Sequence, residues 1–308
     1  MKNLTLQHIR YLTAVSEHGH FGRAASDCAI SQPALSVQMK NLEAMVGAPL
    51  LERGTRKVRL TQLGEDFVAR GRNILSAVEE LGDIARSAQN DFYGDLKFGI
   101  IPTIAPYLLP SIVTAIQKHL PIANLKPREA ITSSLVEDLL EHRLDIALVA
   151  LPVSDPGLEE VAVFEEEFVL VRPVAERNKP VPPPEKLTTL RLLLLEEGHC
   201  FRDQALSFCT LDGTQPRDLM EGSSLSTLVQ MVGAGLGLTL IPEMALPLEG
   251  RVRNTCIQRF SGAQPKRTVG LIWRKTNPMS EQFRFFKDVI ARANQRTLSE
   301  ISSQITPS

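Results

Sequence analysis

Residues 21–47, FGRAASDCAISQPALSVQMKNLEAMVG, decide how the first part of this chain folds. Residues 21–27 predict a short helix in which Ala24 and Ala25 permit close packing, and Cys28, Ala29 and Ile30 form the turn that follows. Ser31 then predicts an N-cap, and Pro33 is tolerated in the first turn, where the amide has no intrahelical partner. Leu35, Met39, Leu42 and Val46 recur at steps of 4, 3 and 4, the apolar stripe of a helix that Gly47 stops. Gln32, Ser36 and Lys40 are expected on its opposite face.

Upstream, Thr5 predicts the cap of a first helix with Leu6, Ile9, Leu12 and Val15 on one face, ended by Gly19. Downstream, residues 50–53, 54–57 and 58–60 predict strand, basic turn and strand, a wing. Two short helices, a tight turn and a polar-faced third helix are the helix-turn-helix arrangement that lays one helix in the major groove. On these residues alone a generic three-helix core is the alternative. Gln32, Ser36 and Lys40 are the candidates for base edges, and Pro33 or Ala34 for a thymine methyl. Arg53, Arg56, Lys57 and Arg59 are expected to meet phosphates, with an arginine entering the minor groove.

Charge agrees with that division. The 308 residues carry a net charge of −1, but residues 1–60 hold eight Lys/Arg against four acids, +4, which leaves −5 for the rest. A basic head on an acidic body fits a nucleic-acid partner. The first twenty residues lack the apolar core of a secretory signal, and no apolar run reaches membrane-spanning length, so the expected location is the cytoplasm. Four scattered cysteines do not make a disulfide scaffold, and no His/Cys spacing suits zinc; no metal and no cofactor are expected.

Thr61 predicts the cap of a long helix to about residue 90. Phe67, Gly71, Ile74, Val78, Leu81, Ala85 and Ala88 form a heptad-like seam for the same helix of a second subunit, with packing on the chain's own body as the alternative. Residues 90–95 predict a hinge. Beyond them strand and helix alternate: strands at 96–101, 125–129 and 146–150, with helices at 106–120 and 133–142, predict an α/β unit with a parallel sheet. A second unit begins near Phe164, with strands at 168–171, 192–195 and 238–241 and helices at 202–209 and 225–232. A strand at 268–273 and a helix at 281–293 close the chain. Two lobes with two crossings predict a hinged body whose ligand site lies between them. Gly233, Gly235 and Gly237 follow a helix and precede a strand, the reverse of a dinucleotide loop.

Ala24-Ala25, Ser31-Gln32-Pro33-Ala34-Leu35-Ser36, Leu42-Glu43, Leu50-Leu51-Glu52-Arg53 and Leu60-Thr61-Gln62-Leu63-Gly64 resemble, in order, the DNA-binding head of LysR-type regulators. The match covers most of residues 4–70, and the remainder is similar to the family's two-lobed effector domain, related in fold to periplasmic binding proteins. The expected organisation is a winged helix-turn-helix at 1–60, a linker and dimerisation helix at 61–90, and an α/β effector domain at 91–308. The resemblance implies double-stranded DNA and RNA polymerase as partners, and a homodimer or homotetramer.

A narrower resemblance lies in the body. Gly198-His199-Cys200-Phe201-Arg202-Asp203-Gln204-Ala205, then Phe208-Cys209, is similar to the peroxide-sensing OxyR subgroup, as are residues 101–110 and 129–132. Carried over, Cys200 is the expected peroxidatic cysteine and Cys209 the resolving one, with Thr103, Thr132, His199, Arg202 and Asp203 around hydrogen peroxide. The chemistry fits the residue types. Arg202 and a helix start beside Cys200 favour the thiolate, and hydroxyls and an imidazole can hold peroxide and protonate the departing hydroxide. If residues 200–209 form one helix, the two cysteines lie roughly 13 Å apart along it, whereas a disulfide needs Cα atoms within about 7 Å. The segment then has to rearrange before the bond closes. Cys28 and Cys256 lack such a setting and are expected to be structural. Competing readings are a LysR-type regulator triggered by a metabolite in the interlobe cleft, a thiol peroxidase, for which the head has no use, and a solute-binding transport protein.

Overall fold

The structure, a computed structural model, describes residues 4–52, 58–87, 94–119, 123–187, 189–209, 219–262 and 264–305. The chain divides into two compact units, one ending at Ala85 and one beginning at Arg86.

The first unit is built from α1 (Leu6–His18), α2 (Phe21–Asp27), α3 (Gln32–Val46) and α4 (Gln62–Ser87). Local chemistry sets each boundary. The Thr5 hydroxyl accepts the His8 amide in a capping box, and the Ser31 hydroxyl accepts the Ala34 amide. Gly19 and Gly47 stop α1 and α3 in left-handed conformations, at φ 58° and 81°. The predicted stripe Leu35, Met39 and Leu42 is buried against Leu12, Val15, Ala24 and Ala25. Glu43 accepts the Leu50 and Leu51 amides, fixing where the chain leaves α3. Leu51 then bridges Leu60 antiparallel, the base of the predicted wing. Arg53, Arg56 and Lys57 lie outside the described residues.

The seam on α4 is divided. Phe67 packs on the head's core beside buried Val68, and Gly71 is buried so tightly that a Cβ there would meet Ile9 Cγ2 at 2.6 Å. These two residues therefore face their own unit, whereas Ile74, Leu81 and Ile84 further along are exposed. Ala88 lies outside the described residues, as do residues 90–93 of the predicted hinge.

The second unit comprises β1 (Gly94–Ile100), α5 (Ala105–His119), β2 (Ala123–Glu129), α6 (Thr132–Leu140), β3 (Ile146–Leu151), β4 (Leu158–Pro173), α7 (Pro184–Leu187), β5 (Leu192–Leu195), α8 (Cys200–Cys209), β6 (Leu219–Gly222), α9 (Leu225–Gly233), β7 (Thr239–Pro242), α10 (Leu246–Glu249), β8 (Thr255–Gln258), β9 (Lys266–Arg274) and α11 (Ser280–Ile305). The three strands expected to be parallel, β1, β2 and β3, are so, but the sheet they join is mixed. Its order is β2-β1-β3-β9-β4-β7, with β1 parallel to β2 and β3, and β9 antiparallel to both β3 and β4. The reason is the return path: β9 re-enters the first lobe from the second and closes the sheet from the opposite direction. The 16-residue β4 also begins well before the predicted 168–171, pairing with β9 over its first part and with β7 and β8 over its second.

Two cores lie along that strand. One gathers Phe98, Ile100, Leu148, Trp273 and Phe283 under α5, α6 and α11; the other gathers Phe168, Leu193, Phe201, Val229 and Leu240. Among the described residues no helix is long and apolar enough to cross a membrane.

A Cβ at Gly64 in the first turn of α4 would sit 2.1 Å from the Leu50 carbonyl oxygen, a backbone atom that cannot swing aside. Gly64→Ala is expected to destabilise the head by about 1–3 kcal/mol despite alanine's higher helix propensity. Thermal unfolding followed by circular dichroism checks this.

Candidate functional site

Where β4 and β9 cross between the lobes, Glu166 and Arg267 stand opposite each other in register. The Arg267 guanidinium has 0% exposure and donates to Glu166 Oε2 at 2.8 Å and to the Thr103 hydroxyl at 2.8 Å and carbonyl at 3.1 Å. It also lies 5.6 Å from the Phe201 ring centre and 6.0 Å from that of Phe168. Glu166 accepts the Met244 amide as well, at 3.0 Å. Burial pushes the Glu166 carboxyl up, while Arg267 and the Met244 amide pull it down. With the guanidinium held against it, the carboxylate is the form that fits this geometry. A second polar link joins the lobes: Tyr107 of α5 donates to the buried Glu249 of α10, which also accepts from Ser226.

Phe201 carries this centre into α8. Cys200 is the first residue of that helix, a half-buried free thiol packed against the core of the opposite lobe. Just before it, Gly198 has φ 94°, and a Cβ there would meet Ile131 Cδ1 at 3.0 Å. The loop that presents His199 and Cys200 is thus seated on the residue preceding Thr132. The Thr132 hydroxyl is buried and without a hydrogen-bond partner, whereas that of Thr103 is engaged by Arg267. Burial pushes the His199 imidazole pKa down, opposed by Glu196, so at neutral pH the ring is uncharged.

Arg202 departs from expectation. Its guanidinium donates to the Leu195 carbonyl at 2.9 Å and pairs with Glu221, tying the start of α8 to β5 and β6. Asp203 is exposed. No described contact brings either residue to Thr103 or Thr132. Cys209 is the last residue of α8; its side chain lies outside those described. Cys256 is buried, its thiol donating to the Pro173 carbonyl, and burial raises the half-buried Cys28 thiol, with Asp27 and Glu17 adding to it.

On the first unit, Gln32, Pro33, Ala34 and Lys40 are exposed along α3, Ser36 is half-buried, and Arg59 is exposed at the base of the wing. Sequence reasoning missed Glu166 and Arg267 altogether. One stands in the acidic run Glu165-Glu166-Glu167 and the other beside Lys266, patterns that read as solvated surface.

A helix-turn-helix unit followed by a two-lobed α/β unit defines a class of bacterial DNA-binding regulator. The helix-turn-helix family of LysR-type bacterial regulatory proteins matches residues 6–65, the LysR substrate binding domain matches residues 89–295, and the chain belongs to the LysR family. It is 41% identical over 274 residues to a probable hydrogen peroxide-inducible genes activator of Streptomyces viridosporus, covering 88% of each chain. To the dual regulator OxyR of Escherichia coli K12 it is 37% identical over 295 residues, covering 93% of this chain and 95% of that one. Among solved structures it is similar to full-length OxyR of Pseudomonas aeruginosa (TM-score 0.71, 34% identity, 94% and 95% of the two chains covered). It is also similar to a hydrogen peroxide-bound OxyR mutant of Corynebacterium glutamicum (TM-score 0.68, 33% identity, 99% and 98% covered).

Two measurements probe this site. Arg267→Met strands a buried carboxylate and is expected to cost about 3–5 kcal/mol in urea unfolding, most of it recovered when Glu166→Leu is added. The lowered His199 pKa means that the unfolded chain takes up this proton first. Stability should therefore fall as pH drops through about 6.5, the ordinary histidine value, and level off below the folded pKa. In His199→Gln that part of the slope should vanish from pH-dependent unfolding curves.

Proposed function

We propose that this LysR-family regulator is switched by hydrogen peroxide at Cys200, and that Cys209 resolves the oxidised thiol as a disulfide. The observation that carries this reading is the setting of Cys200: a free, half-buried thiol at the head of α8, next to an uncharged imidazole and packed across the lobe boundary. Relatives named as hydrogen peroxide-inducible genes activators and OxyR, 41% and 37% identical to this chain, support the same reading.

The Cys200 sulfur attacks one peroxide oxygen, the O–O bond breaks, and the departing hydroxide takes up a proton to leave as water. Cys200 becomes a sulfenic acid. The Cys209 thiol then attacks that sulfur, the S–O bond breaks, and a second water leaves. Two thiols lose two electrons and one peroxide gains them. The free Thr132 hydroxyl and the Thr103 hydroxyl are the groups that hold peroxide, and the uncharged His199 ring takes the proton from the Cys200 thiol and returns it to the departing hydroxide.

Because α8 runs unbroken from Cys200 to Cys209, its ends are about 13 Å apart, and the disulfide forms only if the helix unwinds. Arg202 ties the Cys200 end to β5 and β6, so the Cys209 end is the one that travels. In this reading Arg202 is an anchor rather than a peroxide ligand, and Asp203 remains at the rim. The rearrangement alters contacts in a homodimer or homotetramer paired through the exposed apolar residues Ile74, Leu81 and Ile84 of α4.

On double-stranded DNA, Gln32, Pro33, Ala34, Ser36 and Lys40 face base edges, and Arg53, Arg56, Lys57 and Arg59 face phosphates. RNA polymerase is the further partner, and the cytoplasm the place of action. Cys200→Ser is expected to bind DNA with one footprint whether or not micromolar peroxide is added, while the wild type changes footprint and loses two free thiols in a trapping gel. Cys209→Ser should accumulate a sulfenic acid that dimedone labels. A Cys200→Ser protein that still changes its footprint with peroxide sinks the assignment.

A further inference from the structure

The outward line of α3 is not the polar face that the sequence pattern suggests. With successive residues about 100° apart, Val37 lies about 170° from the centre of the buried stripe Leu35, Met39 and Leu42, whereas Ser36 lies only about 90° away. Ser36 is accordingly half-buried, and the Gln32 amide oxygen is close to Gly22, where a Cβ would meet it at 3.5 Å. Val37 is 54% exposed, on the second turn of the helix that the helix-turn-helix arrangement directs into the major groove. A β-branched side chain at an exposed helix position lowers helix propensity, so Val37 does nothing for α3 by itself. It has no donor or acceptor, and Pro33 and Ala44 are its neighbours on the same line, one turn before it and two turns after it. The major-groove feature an aliphatic group recognises is the 5-methyl of thymine.

We propose that Val37 is a specificity-determining residue that packs on a thymine 5-methyl group in each half-site. The inference rests on the DNA-binding reading of the head and is independent of the peroxide reading. Loss of one buried methyl-sized contact corresponds to about a fourfold loss of affinity, from ~0.8 kcal/mol per buried CH₂.

The test uses the full-length protein, kept reduced, and duplexes that the wild type selects from a random-sequence pool. Each thymine of the selected half-site is replaced in turn by deoxyuridine, which removes only the methyl. For the wild type, one such replacement per half-site should weaken binding about fourfold. Val37→Ala should bind the thymine duplex more weakly by a similar factor and be indifferent to that same replacement. Val37→Thr, which keeps one methyl, should remain sensitive to it. The inference is overturned if Val37→Ala responds to every deoxyuridine as the wild type does, or if no replacement affects the wild type. It is equally overturned if Val37→Ala weakens binding to all duplexes alike. A wild type that selects no sequence at all removes the DNA-binding reading together with this inference, an outcome distinct from the others.

Discussion

A guanidinium and a carboxylate buried side by side on neighbouring strands constrain everything around the crossover. Neither charge tolerates an apolar surrounding alone, so Glu166 and Arg267 hold each other, and their remaining hydrogen-bonding capacity has to be met by groups close at hand. Thr103 ahead of α5 and the Met244 amide meet it, one from each lobe. The rings of Phe168 and Phe201, 4.7 Å apart, close the remaining side. Phe201 follows Cys200 directly, so the ion pair that aligns the lobes also sets where α8 begins.

The result is a thiol whose surroundings are held by directional contacts on either side of it in the chain. Upstream of Cys200, the positive φ at Gly198 and the contact with Ile131 fix the loop; Arg202 then locks the first turn of the helix. Toward the other end of α8, Phe208 packs on Phe260 at 5.3 Å between ring centres. Apolar contacts are non-directional and can be remade in another arrangement at lower cost than a set of buried hydrogen bonds.

The head was largely legible in the sequence because its signals are local. Caps at Thr5 and Ser31, left-handed glycines at positions 19 and 47, and a 4-3-4 stripe each act within one turn of chain. The body was less so. The first part of β4 reads LEEVAVFEEE, and its acidic run hides a strand that only pairing with β9 explains; β6 and β8, four residues each, are too short to show a period. The crossover ion pair joins residues about a hundred positions apart, and no local pattern distinguishes Glu166 from its exposed neighbour Glu165. On α3 the letters were right and the angles were not: the polar residues drew attention, while the outward position belongs to a valine. Arg202 likewise sits where sequence proximity suggests a role at sulfur, yet its guanidinium turns to Glu221.

The order of strands in the mixed sheet has a consequence for synthesis. The first lobe begins with β1 but is completed by β9 and α11, which arrive only after the whole second lobe has been made. On the ribosome, β1, β2 and β3 must wait with one sheet edge unpaired while more than a hundred residues emerge, although the second lobe has its sheet partners at hand by β8. The part of the body that starts first is therefore finished last, and the chain is most exposed to strand-mediated aggregation shortly before the return of β9 locks Leu271 and Ile272 beside β3.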